Sequence, residues 1–142
     1  MTAQELAAAC LALPGAVEER PFPDPEVTVF KVGGKIFAIT RLAGDPLRVS
    51  LKCEPDLAEQ LRASYPAITP GYHLNKRHWN TVALDGSLPW RLVLDMIEDS
   101  HDLVVESLSR AKRAELELRS SSGRSHASPD SIGVSAPVED GA

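Results

Sequence analysis

The stretch "VTVFKVGGKIFAIT", residues Val27 to Thr40, decides the fold of this chain. On both sides of Gly33-Gly34 the side chains follow a period of two, which is the period of a strand with one buried face. A Gly-Gly dipeptide readily takes the positive φ angles of a tight turn. The stretch therefore predicts an antiparallel hairpin.

Two further strands are predicted downstream of this hairpin. The segment "LRVSLK", residues 47–52, alternates three aliphatic side chains with Arg48, a serine and Lys52. One face of this strand is therefore apolar and the other is cationic or polar. The segment "WNTVAL", residues 79–84, reads as a fourth strand.

Helices are predicted around these strands. A capping box at Thr2 begins a helix that ends at Pro14. Pro55 occupies the first position of a short amphipathic helix after the third strand. Near the end of the chain, Ser87 or a neighbouring residue is expected to cap a third helix with Pro89 near its first turn, and Ser100 is expected to cap a fourth.

This order of elements predicts an α+β fold, an antiparallel sheet with helices packed on one face. With 142 residues the chain is long enough for one hydrophobic core. We expect residues 1–118 to form this domain and residues 119–142, which are rich in Ser, Gly and Pro, to form a disordered tail. The chain shows no basic leader and no apolar run that would cross a bilayer, so we expect a cytoplasmic protein without a membrane partner.

The net charge of −5 hides an asymmetry along the chain. Residues 1–29 hold one cation and five carboxylates, whereas residues 30–84, the predicted sheet region, hold eight cations and four carboxylates. The sheet region therefore has a local charge of +4. Because the Debye length is about 8 Å at physiological salt, a bound anion responds to this local charge more than to the net charge.

The segment "PGYHLNKRHWNT", residues 70–81, gathers cationic and aromatic side chains in one place. Its histidines, His73 and His78, are five residues apart, which matches neither one helix face nor one strand face. Cys10 and Cys53 are isolated thiols without zinc-site spacing. We therefore expect no metal and no cofactor. The chain has no nucleophile elbow and no phosphate-loop motif, so we also expect no catalytic residues and no enzyme activity.

The same segment carries a family resemblance. Residues 70–89, "PGYHLNKRHWNTVALDGSLP", contain a Tyr-x-x-Asn-Lys-x-His-Trp run followed by a strand, an Asp-Gly turn and a helix. This run and "SHDLVVESL", residues 100–108, are similar to the MmcQ/YjbR-like family of small bacterial proteins, in which an aromatic residue is usual at the position of His101. The motif positions in this chain are Tyr72, Asn75, Lys76, His78, Trp79 and Asn80.

The resemblance implies a frataxin-like (CyaY-like) α+β fold, described as a double wing, and a DNA-binding function. Together with the basic sheet region it gives the first hypothesis, which is weak binding of DNA through a sheet face and the loop of residues 73–80. The candidate contacts are Lys35, Arg48, Lys52, His73, Asn75, Lys76, Arg77, His78, Trp79 and Asn80.

Two alternatives stay open. The acidic pI of about 5.3 suits a protein-interaction or self-association domain, in which an exposed sheet or edge strand pairs with a partner or a second copy. A small-molecule site would use Tyr72, His73, His78 and Asn80 as the polar groups of a pocket. Trp79 and Asn80 also have structural interpretations, as a core anchor and as a side chain that bonds the backbone.

Overall fold

The computed structural model describes residues 1–41, 44–71 and 74–126, with side chains up to residue 118. Its elements are α1 (Ala3–Leu11), β1 (Val17–Glu19), β2 (Val27–Val32), β3 (Lys35–Arg41), β4 (Arg48–Lys52), α2 (Pro55–Ser64), β5 (Ile68–Pro70), β6 (Trp79–Ala83), α3 (Trp90–Ser107) and α4 (Arg110–His126). The strands of the described residues form one antiparallel sheet in the order β1-β2-β3-β4-β6-β5. The predicted α+β fold is confirmed.

The predicted hairpin consists of β2 and β3. Gly33 and Gly34 form its turn with φ angles of 59° and 84°, a region that residues with a Cβ rarely enter. The pairing register shifts after Phe30, because Phe30 pairs with Ala38 while the next residue pairs with Ile36. Phe37 is therefore the extra residue of a β-bulge, and its backbone is released from the regular ladder.

The sheet contains two strands that the sequence does not predict, β1 and β5. Each has three residues, which is too short to show a period-two alternation. β1 also lies shortly before Pro21, Pro23 and Pro25, whose close spacing is typical of an extended loop. Both strands are at sheet edges, where Pro70 is tolerated because a proline there removes no interior ladder bond.

Residues 90–107 form the single helix α3, whereas the sequence predicts two helices with a boundary at Ser100. Ser100 is fully buried in the middle of this helix. Its hydroxyl donates to the Phe37 carbonyl at 2.6 Å and accepts from the Lys52 amide at 2.8 Å. The hydroxyl thus joins β3 to β4 beside the bulge. The prediction of a cap is wrong because this serine satisfies strand backbone and not helix backbone.

One hydrophobic core lies between the helices and one face of the sheet. Its buried side chains include Phe30 and Val49 from the strands and Leu6 and Ile97 from the helices. The capping box that begins α1 is confirmed by reciprocal bonds between Thr2 and Glu5, of 3.1 and 2.8 Å.

The opposite side of the sheet, the open face, carries no helix from the described residues. Strand register assigns the side chains that point to it. The open face includes Val27, Lys31, Ile39, Arg41, Arg48, Ser50, Lys52, Thr69, Trp79, Thr81 and Ala83.

The last helix, α4, continues to His126, so residues 119–126 are helical where the start of a disordered tail is predicted. Good helix formers precede this segment, and a helix that is already formed extends through Ser and Gly at a cost of about 0.5–1 kcal/mol per residue relative to Ala. Leu116 of α4 is buried in the core. The predicted boundary at residue 118 therefore falls inside a helix, and the rest of the predicted tail, residues 127–142, lies outside the described residues.

Candidate nucleic-acid interface on the open face

The strand β4 places two of the predicted cations on the open face. Val49 and Leu51 are 0% and 2% exposed in the core, so the alternating residues Arg48 and Lys52 point the other way. At about 3.3 Å per residue, Arg48 and Lys52 are ~13 Å apart along the strand. For these two residues the predicted shared face is observed.

The neighbouring strands add no carboxylate to this half of the open face. Lys52 lies opposite Trp79 on β6, and Arg48 lies opposite Ala83. The positions between them are the hydroxyl side chains Ser50, Thr81 and Thr69. In the described part of the chain neither Arg48 nor Lys52 forms an ion pair, and the Arg48 guanidinium donates a long 3.5 Å bond to the Pro46 carbonyl. Both charges are therefore available to a ligand.

The cations on the other half of the open face are compensated. Lys31 Nζ lies 2.9 Å from a Glu19 carboxylate oxygen across the β1–β2 pair. Arg41 bonds the Asp24 carboxylate and lies 3.6 Å from that of Glu26. The Glu26 amide and the Arg41 guanidinium both hold the pKa of Asp24 below its usual range. The acidic first part of the chain thus neutralises the open-face cations of β2 and β3, Lys31 and Arg41.

The loop that leads into β6 presents two further predicted cations. Lys76 and Arg77 are exposed, and Lys76 Nζ donates to the Gly71 carbonyl at 3.3 Å. The side chain of Asn75 accepts from the Arg77 amide at 2.9 Å, which is the bond of an Asx turn. Asn75 therefore shapes the loop. The Arg77 guanidinium has no hydrogen-bond or ion-pair partner among the described residues.

His78 and Trp79 are half-buried beside this loop. The His78 carbonyl accepts from the Cys53 amide at 2.7 Å, which ties the loop to the end of β4. Gly71 packs so closely on Trp79 that a Cβ at Gly71 would lie 2.8 Å from the Trp79 Cβ. Trp79 is thus held on the open face next to Lys52 and is not part of the core, which corrects its structural interpretation.

Asn80 does not reach the open face. It is 2% exposed on the helix side of β6, because it alternates with Trp79. Its side-chain oxygen accepts from Arg62 at 2.8 Å, and its amide donates to the Ala58 carbonyl at 3.4 Å. Asn80 therefore holds α2 to the sheet, and its predicted contact with nucleic acid is corrected to a structural role.

Lys35 is also separated from the other predicted cations. Its ammonium group lies at the C-terminal end of α3, 3.4 Å from the Ser107 carbonyl and 3.3 Å from the Ser107 hydroxyl. A cation is favourable there because it satisfies unpaired carbonyls and the negative end of the helix dipole. The predicted grouping of Lys35 with Arg48 on one face is therefore wrong.

Arg62 also belongs to this region, although no sequence motif assigns it a role. Besides its bond to Asn80, it donates to the Lys76 carbonyl at 3.2 Å. Arg62 thus ties the loop that carries Lys76 and Arg77 to α2. Its position in the last turn of α2 gives no local signal of this contact. Tyr72 and His73, two of the predicted site residues, lie outside the described residues.

The two cysteine thiols, Cys10 and Cys53, are free and buried. Burial raises the pKa of Cys10 to about 12 and that of Cys53 to about 11, so both are protonated at neutral pH. Across the described ranges no three His, Cys, Asp or Glu side chains are grouped as metal ligands would be. None of the helices described has the length and hydropathy to span a membrane.

Comparison with known proteins identifies the family of this chain. The sequence profile of the YjbR family matches residues 11–103. The chain belongs to the YjbR family. It is 41% identical over 113 residues to the YjbR protein of Escherichia coli K12, covering 80% of this chain and 95% of that protein. It is also 43% identical over 96 residues to the YbdF protein of Escherichia coli O157:H7, covering 67% of this chain and 76% of that one.

Two solved structures have the same fold. The crystal structure of Deinococcus radiodurans protein DR2400, a DUF419 domain, has a TM-score of 0.77 and 43% identity, covering 82% of this chain and 88% of that one. A Pseudomonas syringae protein has a TM-score of 0.64 and 30% identity, covering 72% and 98%. The family resemblance carried by the Tyr72 to Trp79 motif is therefore confirmed.

Proposed function

We propose that this YjbR-family protein binds nucleic acid weakly and with little sequence preference through the β4–β6 half of its open face. Arg48, Lys52 and Arg77 contact phosphates, and Trp79 contacts a base or sugar. One observation carries this proposal: Arg48 and Lys52 share one side of the sheet with the Trp79 ring, exposed Arg77 lies two residues before Trp79, and no carboxylate forms an ion pair with these cations within the described residues.

Free cations matter because binding to phosphate is driven largely by the release of condensed counterions. A lysine or arginine that is already paired with a carboxylate neutralises a phosphate less completely. Fewer condensed counterions then leave the nucleic acid on binding. With three phosphate contacts on duplex DNA, the log-log dependence of affinity on salt has a slope of about −2.7. Dissociation constants in the non-specific range, about 10⁻⁴ to 10⁻⁶ M at physiological salt, are expected.

Trp79 adds a contact that does not depend on charge. A base stacked on an aromatic side chain contributes about 1–3 kcal/mol, with little preference among bases. Trp79 lies directly opposite Lys52, so one nucleotide can meet the ring and the ammonium together. Its half-buried position fixes the ring before binding and limits the entropy lost on association.

Fluorescence anisotropy with a labelled duplex and a labelled single strand, between about 50 and 200 mM salt, tests the proposal. The double variant Lys52→Glu/Arg77→Glu is expected to weaken binding at least ~10-fold and to flatten the salt slope. The control is Arg91→Glu/Arg113→Glu, which changes the net charge equally on exposed helix positions. Salt-independent binding, or equal losses in both double variants, would overturn the proposal.

Self-association through β1 is a second candidate function. β1 is the outermost strand of the sheet, and all three of its residues are exposed. Val17 is 47% exposed and the nearby Phe22 is 46% exposed. An edge strand offers backbone donors and acceptors to a second copy. Light scattering that shows a dimer, lost in Val17→Lys, supports this candidate, whereas a monomer at every concentration removes it.

A further inference from the structure

A groove with a volume of about 540 Å³ crosses the open face, between the β3–β4 loop and β5. Its floor contains one row of side chains that the strand register sets side by side. Ile39 lies opposite Ser50, Ser50 opposite Thr81, and Thr81 opposite Thr69. The row is apolar at β3 and hydroxylated across β4, β6 and β5. Such a volume is typical of small-molecule sites, which take ligands in about 300–1,000 Å³.

The hydroxyls of the floor form a connected polar strip. Ser50 Oγ and Thr81 Oγ1 are 2.9 Å apart, and either can be the donor. Thr69 Oγ1 donates to the Thr81 carbonyl over a long 3.4 Å. A hydroxyl has one proton and two acceptor lone pairs, so Ser50 and Thr69 keep capacity for a polar ligand group.

Two arginines stand at one rim of the groove, and they differ in their availability. Arg41 is held by Asp24 and Glu26, so its charge is already balanced. Arg48 has five N–H donors, and its contact is the 3.5 Å bond to the Pro46 carbonyl. Of these two arginines, Arg48 is therefore the one whose charge is not balanced by a carboxylate within the described residues.

The side of the groove next to Arg41 is apolar and consists of Val27 and Ile39. We propose that the groove binds a small organic anion, a carboxylate or a phosphate monoester with an apolar body. The anionic head binds the Arg48 guanidinium, the body lies on Ile39 and Val27, and the hydroxyl strip accepts or donates bonds along the ligand. This site shares Arg48 with the proposed nucleic-acid surface, but it also uses the hydroxyl row and leaves Lys52, Trp79 and Arg77 unoccupied.

The test is a titration of the ¹⁵N-labelled full chain with four probes, followed through amide chemical shifts. Benzoate and phenyl phosphate are the two head groups on one apolar body, benzyl alcohol is the neutral body, and inorganic phosphate is the head alone. We expect saturable shifts at the amides of Ile39, Ser50 and Thr69 with both aromatic anions. Benzyl alcohol and inorganic phosphate are expected to bind at least about 10-fold more weakly than the aromatic anions, since each lacks half of the contacts.

Three variants locate the site. Arg48→Gln removes the head-group contact and is expected to lower the affinity for benzoate about 10- to 100-fold. Thr69→Trp fills the groove from an exposed position and is expected to abolish the shifts. Lys52→Glu, which impairs the nucleic-acid surface, is expected to retain benzoate binding. Unchanged binding in Thr69→Trp, shifts spread over the surface, or equal binding of benzoate and benzyl alcohol would overturn the proposal.

Discussion

The open face of the sheet has two halves with the same backbone geometry and opposite electrostatics. On β1, β2 and β3 each open-face cation meets a carboxylate, as in the Lys31–Glu19 and Arg41–Asp24 pairs. On β4, β5 and β6 no described open-face residue is acidic, and neither Arg48 nor Lys52 is paired with a carboxylate of the described residues. The acidic first 29 residues supply the carboxylates of the first half and reach no cation of the second. Net charge therefore conceals a half of the open face whose cations are not compensated.

The largest expected effect concerns the seam that joins the two halves. Ser100 bridges Phe37 on β3 and Lys52 on β4. Ser100→Ala leaves a buried carbonyl and a buried amide without this partner, which is expected to lower the free energy of unfolding by about 1–3 kcal/mol. Urea denaturation followed by circular dichroism measures the change. Ser64→Ala, at an exposed position, is the control and is expected to shift stability by less than ~0.5 kcal/mol. Equal midpoints for the two variants would contradict the role of Ser100.

A smaller loss of stability is expected from removing Asn80, which holds α2 against the second half of the sheet. Asn80→Ala removes the acceptor of Arg62 and the donor to the Ala58 carbonyl. Stability is expected to fall by on the order of 1 kcal/mol. Asn75→Ala, which loses an exposed turn bond, is the matched control and is expected to cost less. Hydrogen exchange of the amides of residues 74–78 should rise in Asn80→Ala, since Arg62 also holds the Lys76 carbonyl. Unchanged exchange would mean that the loop does not depend on this support.

The sequence could predict one periodicity of this region and not its long-range partners. The alternation in residues 47–52 correctly places Arg48 and Lys52 opposite the core. The same alternation in residues 79–83 places Trp79 and Asn80 on different faces, which is inconsistent with a shared role of both residues on the open face. Lys35 follows a turn, and its position is decided by the end of α3, 72 residues away. Pairings such as Arg41 with Asp24 depend on how a loop packs, and no local pattern records that.

Acidic pH is expected to lower the stability of the protein through His101, which packs beneath β3 in the first half of the sheet. His101 is buried against Phe37, with ring centroids 5.2 Å apart, and its Nε2 lies 2.8 Å from the Pro14 carbonyl. Burial lowers the pKa of His101, and this outweighs the Pro14 bond and the nearby Asp102 carboxylate, which favour protonation. The unfolded chain therefore binds a proton near pH 6.5 that the folded chain takes up only at lower pH.

This difference makes stability fall as pH drops below about 6.5, until the lower folded pKa is reached, and leaves it independent of His101 at higher pH. Urea midpoints measured across this range should show the decline in the parent protein. His101→Gln does not titrate but keeps an amide donor for the Pro14 carbonyl, so its decline should be shallower. Parallel pH profiles for the two proteins would show that His101 is not responsible.

The most direct way to remove the difference between the halves is to unmask Arg41. The double variant Asp24→Asn/Glu26→Gln keeps the side-chain shapes and removes both carboxylates that compensate this guanidinium. If compensation is what separates the halves, Arg41 becomes a fourth phosphate contact, and the log-log salt slope on duplex DNA changes from about −2.7 to about −3.6. Glu115→Gln/Glu117→Gln changes the net charge equally at exposed positions of α4 and should leave the slope unchanged. A slope that steepens equally in both double variants would mean that net charge, not pairing on the open face, governs binding.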